Sequence, residues 1–298
     1  MNTKAILAIC LGAALLFFSC VEDVKTGNEY SGRLILKLTD APFPYDLVSE
    51  ANVTLFKVEA RKVDDEAVEE NDMADNETLP FITLMEQEIS VNLLNLTNGV
   101  TQILADVEIP QGTYDLIRVY VKGVNVVLTD GRTFDLKVPS GEQTGIKVFL
   151  KPGITVVGGL STDLLLDFDV SRSFVAKGNL KKVDGIRGFN FKPVIKASNL
   201  STSGSLLGNV ITIEDEIEKA LEGVQISVLA ADTVNTSSFT DADGNYMIMG
   251  LETGSYKAIA EFEGYTSSDT LDIQITAANK TIQDFILEKE VVEETGSD

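Results

Sequence analysis

From Gly32 onward the apolar residues of this chain recur with a period of two, and no other feature limits its fold as tightly. In Arg33-Leu34-Ile35-Leu36-Lys37-Leu38-Thr39, Leu34, Leu36 and Leu38 share one face, while Arg33, Lys37 and Thr39 take the other. Successive side chains on a strand point to opposite sides, so this is a half-buried strand. Asp40-Ala41-Pro42 stops it, and Pro44 keeps the chain out of a ladder. Val53 to Ala60 repeats the pattern, as does Ile109 to Val121 behind a Pro/Gly turn. Val124 to Leu128 and Phe134 to Val138 flank Thr129-Asp130-Gly131-Arg132, a hairpin signal. Ile146 to Leu150 and Ile154 to Val157 read as distinct strands separated by Lys151-Pro152-Gly153. Asp163 to Val170 alternates again, and Phe189 to Ile195 closes this series. Glu214 to Leu221 reads as a turn or two of helix, a rare break from the strand period. Short strands with regular turns predict an all-β protein, two antiparallel β-sandwiches in tandem.

The start of the chain has a different logic. Lys4 precedes an apolar run of 14 residues, Ala5 to Phe18. That is too short to span a bilayer and suits the core of an export signal. Phe17-Phe18-Ser19-Cys20 resembles a lipobox, which predicts cleavage before Cys20 and a lipid on its thiol. The alternatives are an ordinary cleaved signal or a retained membrane anchor. Glu22-Asp23 resembles the acidic export tag of surface-exposed lipoproteins in some Gram-negative bacteria. The expected organisation is a lipoprotein signal peptide over 1–19, a lipidated tether over 20–31 and a first sandwich over 32–198. A polar linker over 199–205, a second sandwich over 206–288 and an acidic tail over 289–298 follow. Asp64 to Glu77 is an acidic run without apolar period and reads as a solvated loop.

Composition removes several chemistries. The chain has no His, and its two cysteines are Cys10, inside the signal, and Cys20. Ser-His-Asp and Cys-His catalysis, disulfides, and zinc sites built on His or thiolate are therefore excluded from the exported body. No cofactor is expected, and any metal site would be oxygen-rich and calcium-like. A formal charge of −22 repels nucleic acid and anionic headgroups.

Two ordered sets of residues resemble known families. Leu38-Thr39-Asp40-Ala41-Pro42, Leu93-Leu94 with Asn98-Gly99, and Pro110-Gln111-Gly112-Thr113-Tyr114 through Arg118 form the first set. Pro139 through Lys147, Leu166-Asp167-Phe168-Asp169 and Lys192-Pro193-Val194-Ile195 complete it. Together they resemble the bacterial domain-of-unknown-function family 4382. That resemblance implies a β-sandwich in exported lipoproteins and no established activity. Gly208-Asn209-Val210, Leu221 through Ile226, Thr240 through Ile248, Leu251 through Tyr256 and Gly264-Tyr265 resemble the carboxypeptidase regulatory-like domain. This is a non-catalytic prealbumin-type sandwich, some of whose relatives bind carbohydrate.

The candidate site residues are acidic. Asp163, Asp167 and Asp169 fall on one face of a predicted strand. They are candidate calcium ligands, glycosidase carboxylates, or charge partners of Arg118, Arg172 or Lys192. Asp241-Ala242-Asp243-Gly244 opens like a calcium loop but lacks the later ligands, and reads more simply as a tight turn. Asp40 is an Asx-type turn residue or a ligand. Tyr114, Tyr120, Tyr246, Tyr256 and Tyr265 are half-core residues or a stacking surface for a sugar. Asp232-Thr233-Val234 and Asp269-Thr270-Leu271 resemble a short acceptor motif of periplasmic O-glycosylation, with Thr233 and Thr270 as acceptors.

The expected function is that of a non-enzymatic binding or structural module. It is carried by an outer-membrane lipoprotein held through lipid on Cys20 and facing the cell exterior. The expected partners are glycans or neighbouring surface proteins, not nucleic acid. The alternatives are a carbohydrate-binding accessory protein, a fimbrial or adhesin subunit, and an Asp-based glycan hydrolase.

Overall fold

The computed structural model describes residues 30–40, 47–63, 79–138 and 142–290. Cys20, the signal, most of the tether, the acidic run Asp64 to Glu77 and the end of the tail lie outside those residues.

The first twelve strands are β1 (Ser31–Thr39), β2 (Val48–Val63), β3 (Phe81–Met85), β4 (Ile89–Asn92), β5 (Gln102–Pro110) and β6 (Gly112–Leu128), followed by β7 (Thr133–Leu136), β8 (Ile146–Val156), β9 (Ser161–Phe168), β10 (Phe174–Gly178), β11 (Ile186–Phe191) and β12 (Ile195–Asn199). One sheet runs β12-β9-β1-β5. A second runs β3-β2-β6-β7, with β4 also on β2 and β8 on β6, while β10 and β11 pair only with each other; the inner faces of the two large sheets are opposed. Their inner faces share one core, in which Leu34, Leu36 and Leu38 of β1 meet Val53, Leu55 and Val58 of β2. The period-two reading of β1 thus holds from Arg33 to Leu38, whereas Thr39, expected on the open face, is buried. Most pairs are antiparallel, but β1 and β9 run parallel, Leu38 beside Leu166 and Thr39 beside Asp167. The long pair β2 and β6 is interrupted by several register shifts, which bend strands of 16 and 17 residues around the core. Arg61 of β2 lies inside this sheet at 2% exposure, its guanidinium donating to both carboxylate oxygens of Asp115.

The second sandwich comprises β13 (Gly204–Glu214), β14 (Ile217–Ala220), β15 (Gln225–Ala230), β16 (Thr233–Phe239), β17 (Asn245–Leu251), β18 (Gly254–Glu261), β19 (Leu271–Ile275), β20 (Lys280–Ile282) and β21 (Phe285–Ile286). Its sheets are β14-β13-β17, with β20 and β21 also on β13, and β16-β15-β18-β19. Leu206, Val210, Ile226, Val228, Ala258 and Ile275 fill a separate core. The Tyr246 ring is buried there and its hydroxyl donates to the Gln283 carbonyl.

Four details differ from the sequence reading. Glu214 to Leu221 is a hairpin, not helix: Asp215 and Glu216 both take positive φ and reverse the chain between β13 and β14. Lys151-Pro152-Gly153 does not interrupt the strand it falls in. β8 is continuous through it, and its pairing with β6 slips between Tyr114 and Leu116. The polar linker shrinks to 200–203, because β12 ends at Asn199 and β13 begins at Gly204. Finally, Asp169 does not share a strand face with Asp163 and Asp167. β9 ends at Phe168, and Asp169 caps a single helical turn, α1 (Val170–Ser173).

Candidate binding site at the seam between the sandwiches

The end of β1 brings Asp40 to the place where the two sandwiches meet. Asp40 is 5% exposed. Its backbone N–H donates to the Leu96 carbonyl, and one carboxylate oxygen, Oδ1, accepts from the Val170 N–H at the start of α1. The parallel ladder sets Asp167 beside Thr39. Asp169 N–H donates to the Val194 carbonyl, tying in the Lys192-Pro193-Val194-Ile195 stretch. Four stretches, from Asp40 at one extreme of the sequence to Val194 at the other, thus converge at one end of the first sandwich.

Asn98 carries this end across the seam. It adopts a left-handed φ of 53°, which Asn tolerates better than most residues. Its side-chain oxygen accepts from the Ser238 hydroxyl at 2.9 Å and the Met247 N–H at 3.4 Å. Ser198 Oγ donates to the Gly250 carbonyl, and Lys196 Nζ reaches the Asn235 carbonyl at 2.8 Å. Every one of these bonds joins the first sandwich to β16 or β17.

Two kinds of space open along the seam. One is a cavity of about 20 Å³, room for one water, walled by Thr39, Asp40, Asn98, Asp167 and the hydroxyl-bearing run Thr236-Ser237-Ser238. The other is a groove of about 450 Å³ lined by Phe149, Asp167, Lys196, Asn235, Glu252 and Tyr256. It shares Lys151, Ser198 and Glu252 with a neighbouring hollow of about 620 Å³. Phe149 offers its ring at 44% exposure, and Tyr256 is half-buried across the groove in the second sandwich.

The electrostatics divide the acidic residues. Burial pushes the Asp40 carboxyl well above the usual range, and the charges of Asp167 and Asp169 push it further, against the bond from Val170. Burial also acts to raise Asp169. The Ser171 hydroxyl and the Arg172 N–H and guanidinium outweigh it and hold that carboxyl below its ordinary value. Burial lowers the Lys196 amine, helped by Arg172 and opposed by Asp167 and Asp169. Burial, then Glu252, raises the Tyr256 phenol.

The sequence-predicted residues therefore separate. Asp40 and Asp167 meet at the cavity, while Asp163 pairs with Lys37 at 3.4 Å and Asp169 with Arg172 at 2.5 Å. Asp241 and Asp243 form the simple turn: Asp241 Oδ1 accepts from the Asp243 and Asn245 N–H groups, and Gly244 supplies φ of +77°. Thr233 and Thr270 are exposed, and Tyr114 and Tyr246 are core. Among the described residues no group of three or more carboxylates is placed to hold a metal ion. Asp169 caps α1 and turns onto Arg172, so Asp163, Asp167 and Asp169 do not form the single acidic face that the glycosidase reading assumed. Asp40, the carboxyl that burial raises, faces room for a water and not for a sugar. Sequence reasoning missed Phe149, Lys196 and Ser238 altogether. Asn98-Gly99 entered it only within a family resemblance, with no sign of a partner 140 residues away.

Known proteins define a class first: a domain of unknown function joined to a carboxypeptidase regulatory-like module, whose model matches residues 210–288. The chain belongs to the family described as "Domain of unknown function (DUF4382)", whose model matches residues 31–193. No curated protein matches the chain. Among solved structures it is similar to GBS52, the minor pilin of Streptococcus agalactiae, at 12% identity and a TM-score of 0.27, over 89% of this chain and 99% of that one. The shaft pilin SpaA of Lactobacillus rhamnosus GG gives 11% identity and a TM-score of 0.27, over 88% and 99%. The Bacillus anthracis TIE protein gives 13% and 0.25, over 87% of this chain and 34% of that one. At such scores nothing about function passes from these proteins to this chain.

Proposed function

We propose that this protein is a non-enzymatic binding and structural module, held on the outer membrane by lipid on Cys20 and facing the exterior, and that it takes a glycan in the seam groove. The observation that carries the ligand class is the groove itself. Two aromatic rings, Phe149 and Tyr256, stand on walls from different sandwiches. The same lining carries amide, carboxylate and amine groups suited to hydroxyl-rich ligands. Such a site pairs the apolar face of a sugar with a ring and its hydroxyls with Asn235, Glu252 and Lys196. A body with charge −22 favours a neutral glycan over an acidic one.

The test is titration of the mature protein with neutral oligosaccharide classes, read by calorimetry and melting temperature. Binding by one class, weakened at least about tenfold by Phe149→Ala, supports the reading; that factor corresponds to about 1.4 kcal/mol. Equal binding by wild type and variant would move the ligand out of the groove. Cross-linking on intact cells covers the remaining alternative. A defined protein neighbour or a self-ladder, with no glycan bound, would replace the glycan by an assembly role. The anchor is tested separately: Cys20→Ala should release the protein from the membrane fraction.

A further inference from the structure

We infer that the small cavity formed by Asp40, Asp167 and the hydroxyls of β16 is a calcium site that ties the first sandwich to the second. This is independent of whether the larger groove takes a glycan. The starting point is an incomplete carboxylate. Asp40 Oδ1 accepts from Val170, but Oδ2 is buried and has no hydrogen-bond partner among the described residues. A buried acceptor without a donor is costly, and Oδ2 belongs to a residue that walls the cavity.

The rest of the wall supplies what a hard cation needs. Asp167 brings a second carboxylate, and Thr39, Asn98, Thr236, Ser237 and Ser238 bring neutral oxygens. Thr39 Oγ1 has one proton to give, to the Leu96 or the Val100 carbonyl, and Ser238 Oγ donates to Asn98, so the hydroxyl lone pairs are left to accept. None of the lining residues is basic. Arg172 bonds Asp169, and Lys196 bonds the Asn235 carbonyl. A donor set made only of oxygen selects a hard ion. Irregular placement favours calcium over magnesium, which demands near-octahedral geometry. Two carboxylates with neutral oxygens point to the weak range seen in extracellular modules, about 10⁻⁴–10⁻³ M.

The experiment is thermal unfolding of the full mature protein at constant ionic strength. It is run in chelator, in about 0.1–10 mM calcium chloride and in the same range of magnesium chloride, which brackets the expected affinity. Calcium should raise the melting temperature saturably, by about 3–5 °C at about ten times the dissociation constant, with magnesium weaker. Asp40→Asn puts an amide where the ion would sit; it should melt no lower than wild type in chelator and lose the calcium response. Asp167→Asn should lose it too, and Asp243→Asn, in the exposed turn, should keep it. Calcium should also slow amide hydrogen exchange in β16 and β17. No calcium shift in wild type would overturn the site. So would equal shifts in wild type and both cavity variants, which would reflect general screening of the negative surface. A shift without added protection of β16 and β17 would overturn the tie between the sandwiches.

Discussion

Arg61 is the largest fully buried side chain described in this protein, and it carries a full charge. Its fork meets the Asp115 carboxylate at 2.9 and 2.8 Å across β2 and β6. Removing one partner leaves the other charged and dry, so Asp115→Ala should cost about 3–5 kcal/mol in urea unfolding. An apolar pair, Arg61→Met with Asp115→Leu, should recover most of that loss, because no charge is left stranded. Asp40 gives the contrasting case of a lone buried acid. Its folded pKa lies above its unfolded one, so the native state binds more protons and the contribution runs opposite to that of a paired carboxylate. It is fully present below the unfolded value of about 3.9 and is lost as pH rises through the folded value. In chelator, Asp40→Asn should therefore gain on wild type as pH rises above about 4. Parallel stability curves across that range would mean that burial does not move this group. Asp169, held low by Ser171 and Arg172, gives the opposite slope, present above the unfolded value and lost as pH falls.

At the level of elements, β13 is the spine of the second sandwich, pairing with β14, β17, β20 and β21. Gly208 makes this crowding feasible. A Cβ there would stand 1.8 Å from the Gln283 carbonyl oxygen, the atom that also accepts from the Tyr246 hydroxyl. Because the obstacle is backbone, Gly208→Ala should cost about 2–3 kcal/mol and should loosen β20 and β21 first, as faster amide exchange at Gln283 and Leu287. The sequence makes strands such as β1 and β6 legible because burial on one face imposes a period of two. It signals the β6–β7 hairpin because Asp130-Gly131 favours the turn. It hides the β13–β14 hairpin because positive φ falls on Asp215 and Glu216, not on Gly or Asn. It hides the continuity of β8 because a proline inside an alternating segment normally marks its end. The candidate site was only partly legible. Asp40 and Asp167 stand out as acids beside strand ends. Their meeting depends on a parallel β1–β9 pairing, however, and local periodicity carries no information about strand direction.

For the molecule as a whole, the decisive question is how two separately cored sandwiches act as one unit. The residues from Ser31 onward form one compact unit, but their cores do not merge. Much of the contact is polar, through Asn98, Lys196 and Ser198. Small polar interfaces within a chain ordinarily permit relative motion, so coupling must rest on a few specific bonds. Asn98 makes three of them, to Ser238, Met247 and Asn245, and two substitutions separate its roles. Asn98→Gly keeps the left-handed backbone accessible and removes the seam bonds. Asn98→Ala removes the same bonds and adds about 1–2 kcal/mol of backbone strain. In chelator, where bound calcium contributes nothing, Asn98→Gly should split calorimetric unfolding into two transitions, with the first sandwich's own stability nearly unchanged. Asn98→Ala should show the same split, with the first sandwich melting lower as well. The groove draws Phe149 from one sandwich and Tyr256 from the other, so uncoupling should also weaken ligand binding although Asn98 does not line it. A single sharp transition in Asn98→Gly, with binding intact, would mean that Lys196 and Ser198 hold the seam by themselves, and the search for its hinge would move to the turn at 200–203.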